Sequence, residues 1–484
     1  MDDFIILNGN DNVAVALRPM RAGRTAAGLS IKDDVPRYHK FALCDIPCGG
    51  GVIKYGHCIG TASRNIYRGE WVHTFNLESA VSKAGNQVCV DLFKPEFAES
   101  FDDDIAFTGY VRGDGRVGIR NEIWIIPTVG CVNELCRRLA GRFSGRQVYA
   151  FTHDAGCSQC GRDEKNTQKL LSALAKHPNA GGVLIVSLGC ENNNLREFSR
   201  ILGKTDGRVR FLVAQEESDE FAAGVKLIEE LIEFKKSFKQ GRFTLDRLTI
   251  GLKCGGSDSM SGITANPLVG RVTDIICGRG GSAIMGEVPE MFGAEQTLLE
   301  KCRDKATADE FCAMIKEFKE YFDFYGAPYG ENPSPGNKEG GITTIEEKSL
   351  GCVKKAGVSP VVCVAGYGES ISERGGVTLI RTPGNDIAAV SALAAAGAQL
   401  ILFTTGRGTP LGSPVPVIKI SSNTELTVKK PGWIDFDAQT ACSVGDAGAN
   451  ELLKLVLSVA SGSLTASEKN GCRDSAVWRN GITL

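Results

Sequence analysis

The chain has 484 residues, of which 42% are hydrophobic and 23% are charged. This length exceeds what one ordinary hydrophobic core accommodates and predicts two or three domains. The formal net charge of −2 excludes the basic surface that is typical of a nucleic-acid-binding protein.

The termini and apolar runs predict a cytoplasmic protein. The first residues are acidic and lack the basic segment and apolar run of a signal peptide. The longest apolar region, 387–405, is interrupted by Ser391, Gly397 and Gln399, which favours a buried helix followed by a strand over a membrane span. Seventeen cysteines without a secretory signal indicate reduced thiols.

The order of predicted elements divides the chain into three domains. Residues 1–75 show short apolar runs between turn residues and predict a small β-rich domain. Residues 76–107 are weakly patterned and predict a linker. Strand and helix patterns then alternate, which predicts parallel β–α–β units in a middle α/β domain at 108–245 and a C-terminal α/β domain at 246–484.

Within the α/β domains the predicted elements follow from hydrophobic periodicity. In the middle domain they are strands 122–129, 148–153 and 182–188, and helices 133–143, 164–177 and one within 219–238. In the C-terminal domain they are strands 248–252, 360–365, 377–380 and 399–405, and a helical stretch 294–324. Residues 330–341 are rich in Gly, Pro and Asn and predict a loop without regular structure, of the kind that often carries function.

One glycine-rich segment, 113–118, matches the G-x-G-x-x-G pattern of dinucleotide-binding proteins. That pattern must follow a strand and open a helix, whereas here it precedes a predicted strand. We therefore interpret it as a turn between two strands. The chain has no P-loop pattern either.

Cys157, Cys190 and Cys254 each come just after an apolar run typical of a buried strand. The carboxyl ends of parallel strands open into one crevice, where open α/β sheets bind ligands. Thiolates favour iron and iron–sulfur clusters over magnesium or calcium. We therefore predict that these cysteines hold Fe(II), or an iron–sulfur cluster with one open iron, with Mn(II) as an alternative ion. The alternative for each cysteine is core packing.

Further polar side chains are candidates for catalysis and for binding an anionic, hydroxylated ligand. Imidazole titrates near neutral pH, so His73 and His153 are candidates for proton transfer, with plain structural roles as the alternative. Guanidinium groups bind carboxylates, so Arg112 and Arg120 are candidates for contact with an anionic substrate. The predicted catalytic residues are His73, His153 and Asp258, and the predicted substrate-binding residues are Arg112, Arg120, Asn121, Ser257, Asn385, Asp386 and Arg407, with Glu287 in reserve.

These segments resemble the altronate/galactarate dehydratase family. Matching stretches run in order along essentially the whole chain, among them H-K-F-A-L-C-D-I, R-N-E-I-W-I-I-P-T-V-G-C-V-N, L-G-C-E-N-N, C-G-G-S-D-S-M-S-G-I-T-A-N-P, E-N-P-S-P-G-N-K-E-G-G-I-T-T and F-T-T-G-R-G-T-P. The length and the short N-terminal domain are more similar to the altronate branch than to the galactarate branch.

The resemblance implies a fold and an activity. The expected fold is α/β, with an N-terminal β-clip (SAF-type) domain, a middle domain and a C-terminal Rossmann-like domain. The expected activity is that of a hydro-lyase, stimulated by iron, that removes water from a sugar acid and gives a 2-keto-3-deoxy product. Alternatives are a lyase acting on galactarate or a sulfonated hydroxy acid, and a non-catalytic sugar-acid-binding protein. We also expect a homodimer with no membrane or nucleic-acid partner.

Two residues depart from the pattern that members of this family commonly show. Phe75 stands where a second histidine is common, so that H-T-F-N replaces an H-x-H-N motif. Cys160 stands where an aliphatic residue is usual. The first departure is compatible with a shifted substrate, and the second suggests that Cys160 is incidental, although the pair with Cys157 also fits a redox motif or half of a zinc site.

Overall fold

The computed structural model describes residues 3–81, 105–371, 373–442 and 446–484. Most of the linker predicted at 76–107 lies outside these ranges. Within them, no helix combines the length and the apolar character that crossing a membrane requires.

The N-terminal domain consists of short antiparallel strands, as the alternation of apolar runs and turn residues predicts. Its strands are β1 (Phe4–Ile5), β2 (Val13–Ala16), β3 (Thr25–Ala26), β4 (Leu29–Ser30), β5 (Lys40–Ala42), β6 (Gly51–Lys54), β7 (His57–Ala62), β8 (Trp71–Val72) and β9 (Leu77–Glu78). They form the sheets β1-β2-β5-β8, β3-β4 and β6-β7-β9. The predicted fold class, with an SAF-type domain first, is confirmed.

The middle region combines a small antiparallel sheet with a parallel one. Its strands are β10 (Ala106–Val111), β11 (Val117–Gly118), β12 (Glu122–Pro127), β13 (Val148–Ala150), β14 (Ala180–Ser187), β15 (Val209–Val213) and β16 (Gln240–Thr244). Its helices are α1 (Asn133–Arg142), α2 (Gly161–Ala175), α3 (Leu195–Leu202) and α4 (Glu220–Lys235). The parallel sheet has the order β13-β12-β14-β15, and the antiparallel sheet has the order β11-β10-β16. The glycine-rich segment 113–118 links the antiparallel strands β10 and β11, so its interpretation as a turn is confirmed.

The C-terminal domain is built on a seven-stranded parallel sheet of order β19-β20-β18-β17-β21-β22-β23. Its strands are β17 (Thr249–Cys254), β18 (Ser282–Met285), β19 (Val361–Ala365), β20 (Val377–Ile380), β21 (Leu400–Thr405), β22 (Val417–Ser421) and β23 (Phe436–Asp437). Its helices are α5 (Ala265–Gly278), α6 (Glu295–Leu299), α7 (Lys305–Phe324), α8 (Pro335–Glu339), α9 (Ile345–Cys352), α10 (Asp386–Ala395), α11 (Thr424–Lys429), α12 (Ala438–Cys442), α13 (Asp446–Ala460) and α14 (Ala466–Lys469). The central strands are fully buried, as expected where helices cover both faces of a parallel sheet.

Two predictions for this domain are wrong in detail. The helical stretch 294–324 is two helices, because Asp304 caps α7 by accepting a hydrogen bond from the backbone N–H of Thr307. The predicted loop 330–341 contains α8, which begins with a capping box between Ser334 and Asn337 and with Pro335 at its first position. Both features stabilise a helix start.

Candidate functional site

The N-terminal domain docks on the C-terminal domain through buried charges. Lys40 on β5 and Lys54 on β6 place their ammonium groups 2.8 Å and 2.6 Å from the two carboxylate oxygens of Glu347 on α9. The Lys54 ammonium also donates a hydrogen bond to Ser259 Oγ, 3.0 Å away. Burial alone would raise the pKa of the Glu347 carboxyl, but the two lysines hold it well below its usual range. The carboxylate is therefore ionised and joins the two domains.

A cavity of about 390 Å³ opens next to this contact. Arg37 and Tyr38 line it from the N-terminal domain. The C-terminal domain contributes Asp258, Glu339, Gly340, Gly406, Arg407, Asn423, Glu425, Leu426 and Lys429. Residues 258, 406–407 and 423 follow β17, β21 and β22, so the cavity lies at the carboxyl edge of the seven-stranded sheet, as the ligand-binding rule for open α/β sheets predicts.

Asp258 is the buried carboxylate of this cavity. Its Oδ1 accepts hydrogen bonds from the backbone N–H of Ser261 at 2.8 Å, from Ser261 Oγ at 2.9 Å and from Ser422 Oγ at 2.7 Å. Its Oδ2 accepts one from Asn423 Nδ2 at 2.9 Å. These donors hold the carboxylate in one orientation at the cavity wall.

Tyr38 lines the same cavity as Asp258 from the N-terminal domain, and its hydroxyl lies 3.5 Å from Gln439 Oε1. Burial raises the pKa of its phenol, so the hydroxyl stays protonated at neutral pH and is able to donate a proton. Its φ of 68° is in the left-handed region, which a bulky residue adopts only where the surroundings enforce it and which is frequent at functional sites.

Arg407 supplies a cation to the same cavity. Its guanidinium lies 3.0 Å from the Glu339 carboxylate, and about half of its side chain is exposed, so it is accessible to an anionic ligand.

Asp386 is also at this sheet edge, where it pairs with Lys253 at 2.8 Å. Asn385 instead caps α10 by accepting a hydrogen bond from the backbone N–H of Ala388.

A second polar cluster surrounds Cys254, at the end of β17. The thiol is buried, and its sulfur is 2.7 Å from Ser257 Oγ. A hydrogen bond from Cys352 lowers the pKa of the Cys254 thiol to about 5 against the effect of burial, with help from Lys355. The reserve candidate Glu287 is buried here, where it accepts hydrogen bonds from Lys253, from Lys355 and from the backbone N–H of Cys254.

The structure does not gather Cys157, Cys190 and Cys254 into the predicted metal site. Within the described ranges, no three His, Cys, Asp or Glu side chains are arranged to hold one metal ion. The reason is topological, since Cys157 and Cys190 follow β13 and β14 of the middle domain's own sheet whereas Cys254 ends β17 of the seven-stranded sheet. We therefore derive no reaction step through a metal.

Arg112, Arg120 and Asn121 have structural partners away from the cavity. Arg120 uses all five donors, two on the carboxylate of Glu468 and three on backbone carbonyls. Arg112 donates to two carbonyls and to Asn121 Oδ1, and Asn121 Nδ2 donates to the carbonyl of Lys235. These three residues join segments of the chain and are not part of the cavity lining, so the structure does not bring them to the candidate site.

The two predicted histidines differ in their surroundings. His153 is buried, with Nε2 2.8 Å from the Pro127 carbonyl and Nδ1 accepting the backbone N–H of Ala155, so both ring nitrogens are used to hold a loop. His73 Nε2 lies 3.0 Å from the carbonyl of Lys338 at the end of α8. It stacks on His39, with ring centroids 5.0 Å apart, and thus contacts the segment that borders the cavity.

Sequence reasoning found His73 in the N-terminal domain but missed the residues of that domain that line the cavity. Arg37 and Tyr38 line the cavity, and His39 Nε2 lies 3.1 Å from the Glu339 carbonyl. The signal available in the sequence was the run R-Y-H-K, which concentrates polar and aromatic side chains at the start of an apolar strand. Nothing in that run indicates which domain it faces.

Comparisons with known proteins give one consistent result along the chain. Family models match residues 2–80 (altronate/galactarate dehydratase SAF domain), 109–235 (D-galactarate dehydratase/altronate hydrolase, second domain) and 245–483 (D-galactarate/altronate dehydratase, C-terminal). Altronate dehydratases of Bacillus subtilis (strain 168) and Escherichia coli (strain K12) are each 44% identical to the chain, covering 100% and 99% of it and 100% of their own lengths. A galactarate dehydratase (L-threo-forming) of Escherichia coli (strain K12) is 30% identical over 95% of the chain and 93% of its own length.

Proposed function

The chain belongs to the altronate/galactarate dehydratase family, and from this premise we propose that it is a hydro-lyase that converts D-altronate to 2-dehydro-3-deoxy-D-gluconate and water. The observation that carries this proposal is the 44% identity to two altronate dehydratases over essentially the full length of all three chains. The cavity between the N-terminal and C-terminal domains supports it, because it combines a buried carboxylate, a phenol and accessible cations.

The reaction requires removal of the proton on C2, next to the substrate carboxylate, and departure of hydroxide from C3. The enol that results then tautomerises to the 2-keto acid, so atoms balance without an oxidant or reductant. Both steps need positioned proton-transfer groups, and the charge that develops on the carboxylate needs a cation.

We assign these roles to residues of the cavity. Arg407 binds the substrate carboxylate, since a guanidinium matches a carboxylate in charge and in bidentate geometry. Asp258 accepts the C2 proton, since four donors orient it. Tyr38 donates a proton to the departing hydroxide, since burial keeps its phenol protonated.

Iron stays a prediction for this protein. A Lewis acid would assist by withdrawing electrons from the carboxylate and hydroxyl oxygens of the substrate. Metal analysis of protein purified without oxygen, compared with a sample treated with a chelator, tests this prediction.

The experiment that tests the function is turnover of a panel of sugar acids. Anaerobically purified protein supplied with ferrous iron is incubated with D-altronate, galactarate, other aldonates and a sulfonated hydroxy acid, and the 2-keto product is measured by colour reaction and mass spectrometry. We expect D-altronate to be the best substrate. Binding of altronate without keto-acid formation by protein of verified metal content would refute the proposal, and so would a strong preference for galactarate or the sulfonated acid.

The matched variants are Asp258→Asn and Asp114→Asn. The first removes the proposed base, whereas Asp114 lies in the exposed turn after β10 and pairs with Arg116, so only the first is expected to abolish turnover.

A homodimer and a cytoplasmic location complete the proposal. Light scattering of the purified protein and fractionation of cells test these two parts.

A further inference from the structure

Two histidines of the N-terminal domain bind the last carbonyls of α8, in the C-terminal domain. His73 Nε2 lies 3.0 Å from the carbonyl oxygen of Lys338, and His39 Nε2 lies 3.1 Å from that of Glu339. The last four carbonyls of a helix lack the usual partner within the helix, so the N-terminal domain supplies donors to this end of α8. We call residues 337–341 the α8 segment.

Both histidines act as donors in this contact. A backbone carbonyl only accepts hydrogen bonds, so Nε2 of each ring carries the proton. Nδ1 of His73 lies 3.1 Å from Thr74 Oγ1 and accepts from that hydroxyl. Burial lowers the pKa of His39 to about 4 and also lowers the pKa of His73, so both rings are neutral at pH 7. Because both nitrogens of His73 are occupied, the geometry favours a positioning role for this residue over proton transfer.

The α8 segment lies directly against the proposed base. Asn337 Nδ2 donates to the carbonyl of Ser257 at 2.7 Å, and the backbone N–H of Ser259 donates to the carbonyl of Gly340 at 2.8 Å. The residues on both sides of Asp258 are therefore fastened to this segment. A Cβ atom on Gly340 would lie 2.9 Å from Cβ of Asp258, so glycine is required at this contact. A shift of the α8 segment would therefore displace Asp258.

The α8 segment also contacts the other two residues of the proposed mechanism. The carboxylate of Glu339 lies 3.0 Å from the guanidinium of Arg407. A Cβ atom on Gly341, whose φ is 91°, would lie 2.5 Å from the carbonyl oxygen of Tyr38, so this glycine packs against the backbone of the proposed acid. The ammonium of Lys40 donates to the carbonyl of Gly341 at 2.9 Å. The α8 segment thus adjoins the proposed base, acid and cation.

The position of the α8 segment depends on these contacts between domains. The helix α8 has five residues, and a helix of this length is marginal in water without tertiary contacts. Catalytic groups must be held close to their reactive geometry, and a misplacement of about 1 Å can cost about 100-fold in rate. We propose that His39 and His73 are positioning residues, which hold the α8 segment, and through it the base, the acid and the cation of the cavity, in reactive positions.

The test compares substitutions that keep or remove the donated N–H. Glutamine places an amide N–H near the position of Nε2 and does not titrate, whereas leucine has no donor. We expect His73→Leu and His39→Leu to lower the turnover of D-altronate by about 100-fold, and His73→Gln and His39→Gln to stay within about fivefold of wild type. The pH profile of kcat/KM in the glutamine variants is expected to match that of wild type, which a proton-transfer role would not allow.

The matched controls are His57→Leu and His57→Gln. His57 is an exposed histidine of the same domain, on β7, so neither control is expected to change turnover. Lys40 is left intact, because its replacement would also break the ion pair with Glu347. Circular dichroism shows whether each variant is folded. Folded glutamine variants that are as inactive as their leucine counterparts, or leucine variants with the turnover of wild type, would overturn the inference.

A second measurement separates this inference from the proposed function, on which it rests. Hydrogen exchange of the full-length protein follows the amides of the α8 segment and needs no substrate. We expect exchange to be about fivefold faster in both leucine variants, the equivalent of one lost hydrogen bond, and unchanged in the glutamine and His57 variants. Unchanged exchange in the leucine variants would overturn the positioning role. Wild-type protein that dehydrates no sugar acid, together with the expected exchange, would refute the proposed function alone.

Discussion

The buried triad of Lys40, Lys54 and Glu347 is predicted to hold the N-terminal domain on the rest of the protein. At the observed separations of 2.8 Å and 2.6 Å, an effective dielectric constant of about 20 gives about 6 kcal/mol of attraction for each pair. Removing the three charges from water offsets much of that attraction, by several kcal/mol per ion. The triad is therefore only modestly stabilising when complete, but strongly destabilising when one member is lost.

The perturbation that exposes this asymmetry is Glu347→Gln. The amide keeps the shape of the side chain but leaves two buried ammonium groups without an anion, and we expect a loss of about 3–5 kcal/mol in the free energy of unfolding. Urea unfolding measures the loss, and amide hydrogen exchange in β5 and β6 localises it to the domain contact. The control is the triple variant Lys40→Met/Lys54→Met/Glu347→Leu, in which no charge is left unpaired and the loss is expected to be much smaller.

The pH dependence of this contact follows from the same triad. The pKa of Glu347 is lower in the folded protein than in the unfolded chain, so the unfolded chain binds the extra proton. The stabilisation is complete above the unfolded pKa of about 4.3 and is lost as the pH falls through the folded pKa. Wild-type protein should therefore lose stability on acidification below about pH 4, and the Glu347→Gln variant should lack this part of the decline. An unchanged urea midpoint in Glu347→Gln protein, or equal losses in the single and triple variants, would refute the reasoning.

Other predictions concern two residues of the cavity and Arg120, which lies outside the cavity. Tyr38→Phe should lower kcat by about 100-fold or more with little change in KM, and a normal kcat would remove the phenol from the proton-transfer step. Arg407→Ala should raise KM for altronate by about 10- to 100-fold, since a hydrogen bond to a charged group contributes about 1.5–3 kcal/mol; steady-state kinetics measures both variants. Arg120→Lys should lower the urea midpoint without changing KM, because the guanidinium bonds to Glu468 and three carbonyls. A raised KM in that variant would restore Arg120 to the substrate site.

Most of the fold could be predicted because long apolar runs carry a strong local signal. Every residue of β14 is buried, and such a run forms a strand in any packing that covers both faces of a sheet. The short helix α8 was not predicted, because the Gly, Pro and Asn content of residues 330–341 favoured a loop. The start of the helix is nevertheless marked by Ser334, Pro335 and Asn337. A five-residue helix has too few turns to show periodicity, so only its cap can reveal it.

The residues of the cavity could be predicted in part. Asp258 and Arg407 were found because polar side chains directly after strands of a parallel sheet meet at its carboxyl edge. Arg120 looked equivalent in sequence, but its partner Glu468 is 348 residues away, and only the tertiary structure shows that its donors are used. Arg37 and Tyr38 were missed for the converse reason, since they reach the cavity through the docking of another domain.

The three-cysteine prediction shows where the rule about strand ends needs one more piece of information. Each of Cys157, Cys190 and Cys254 does lie at the carboxyl end of a parallel strand, so the local reasoning holds for each one. The described part of the chain, however, contains two parallel sheets, and each sheet has its own carboxyl edge. Convergence therefore depends on which strands share a sheet, and this is decided by pairing between segments far apart in sequence. Once the pairing is known, Cys157 and Cys190 belong to the carboxyl edge of one sheet and Cys254 to that of another, so the three thiols are not expected to meet at one centre.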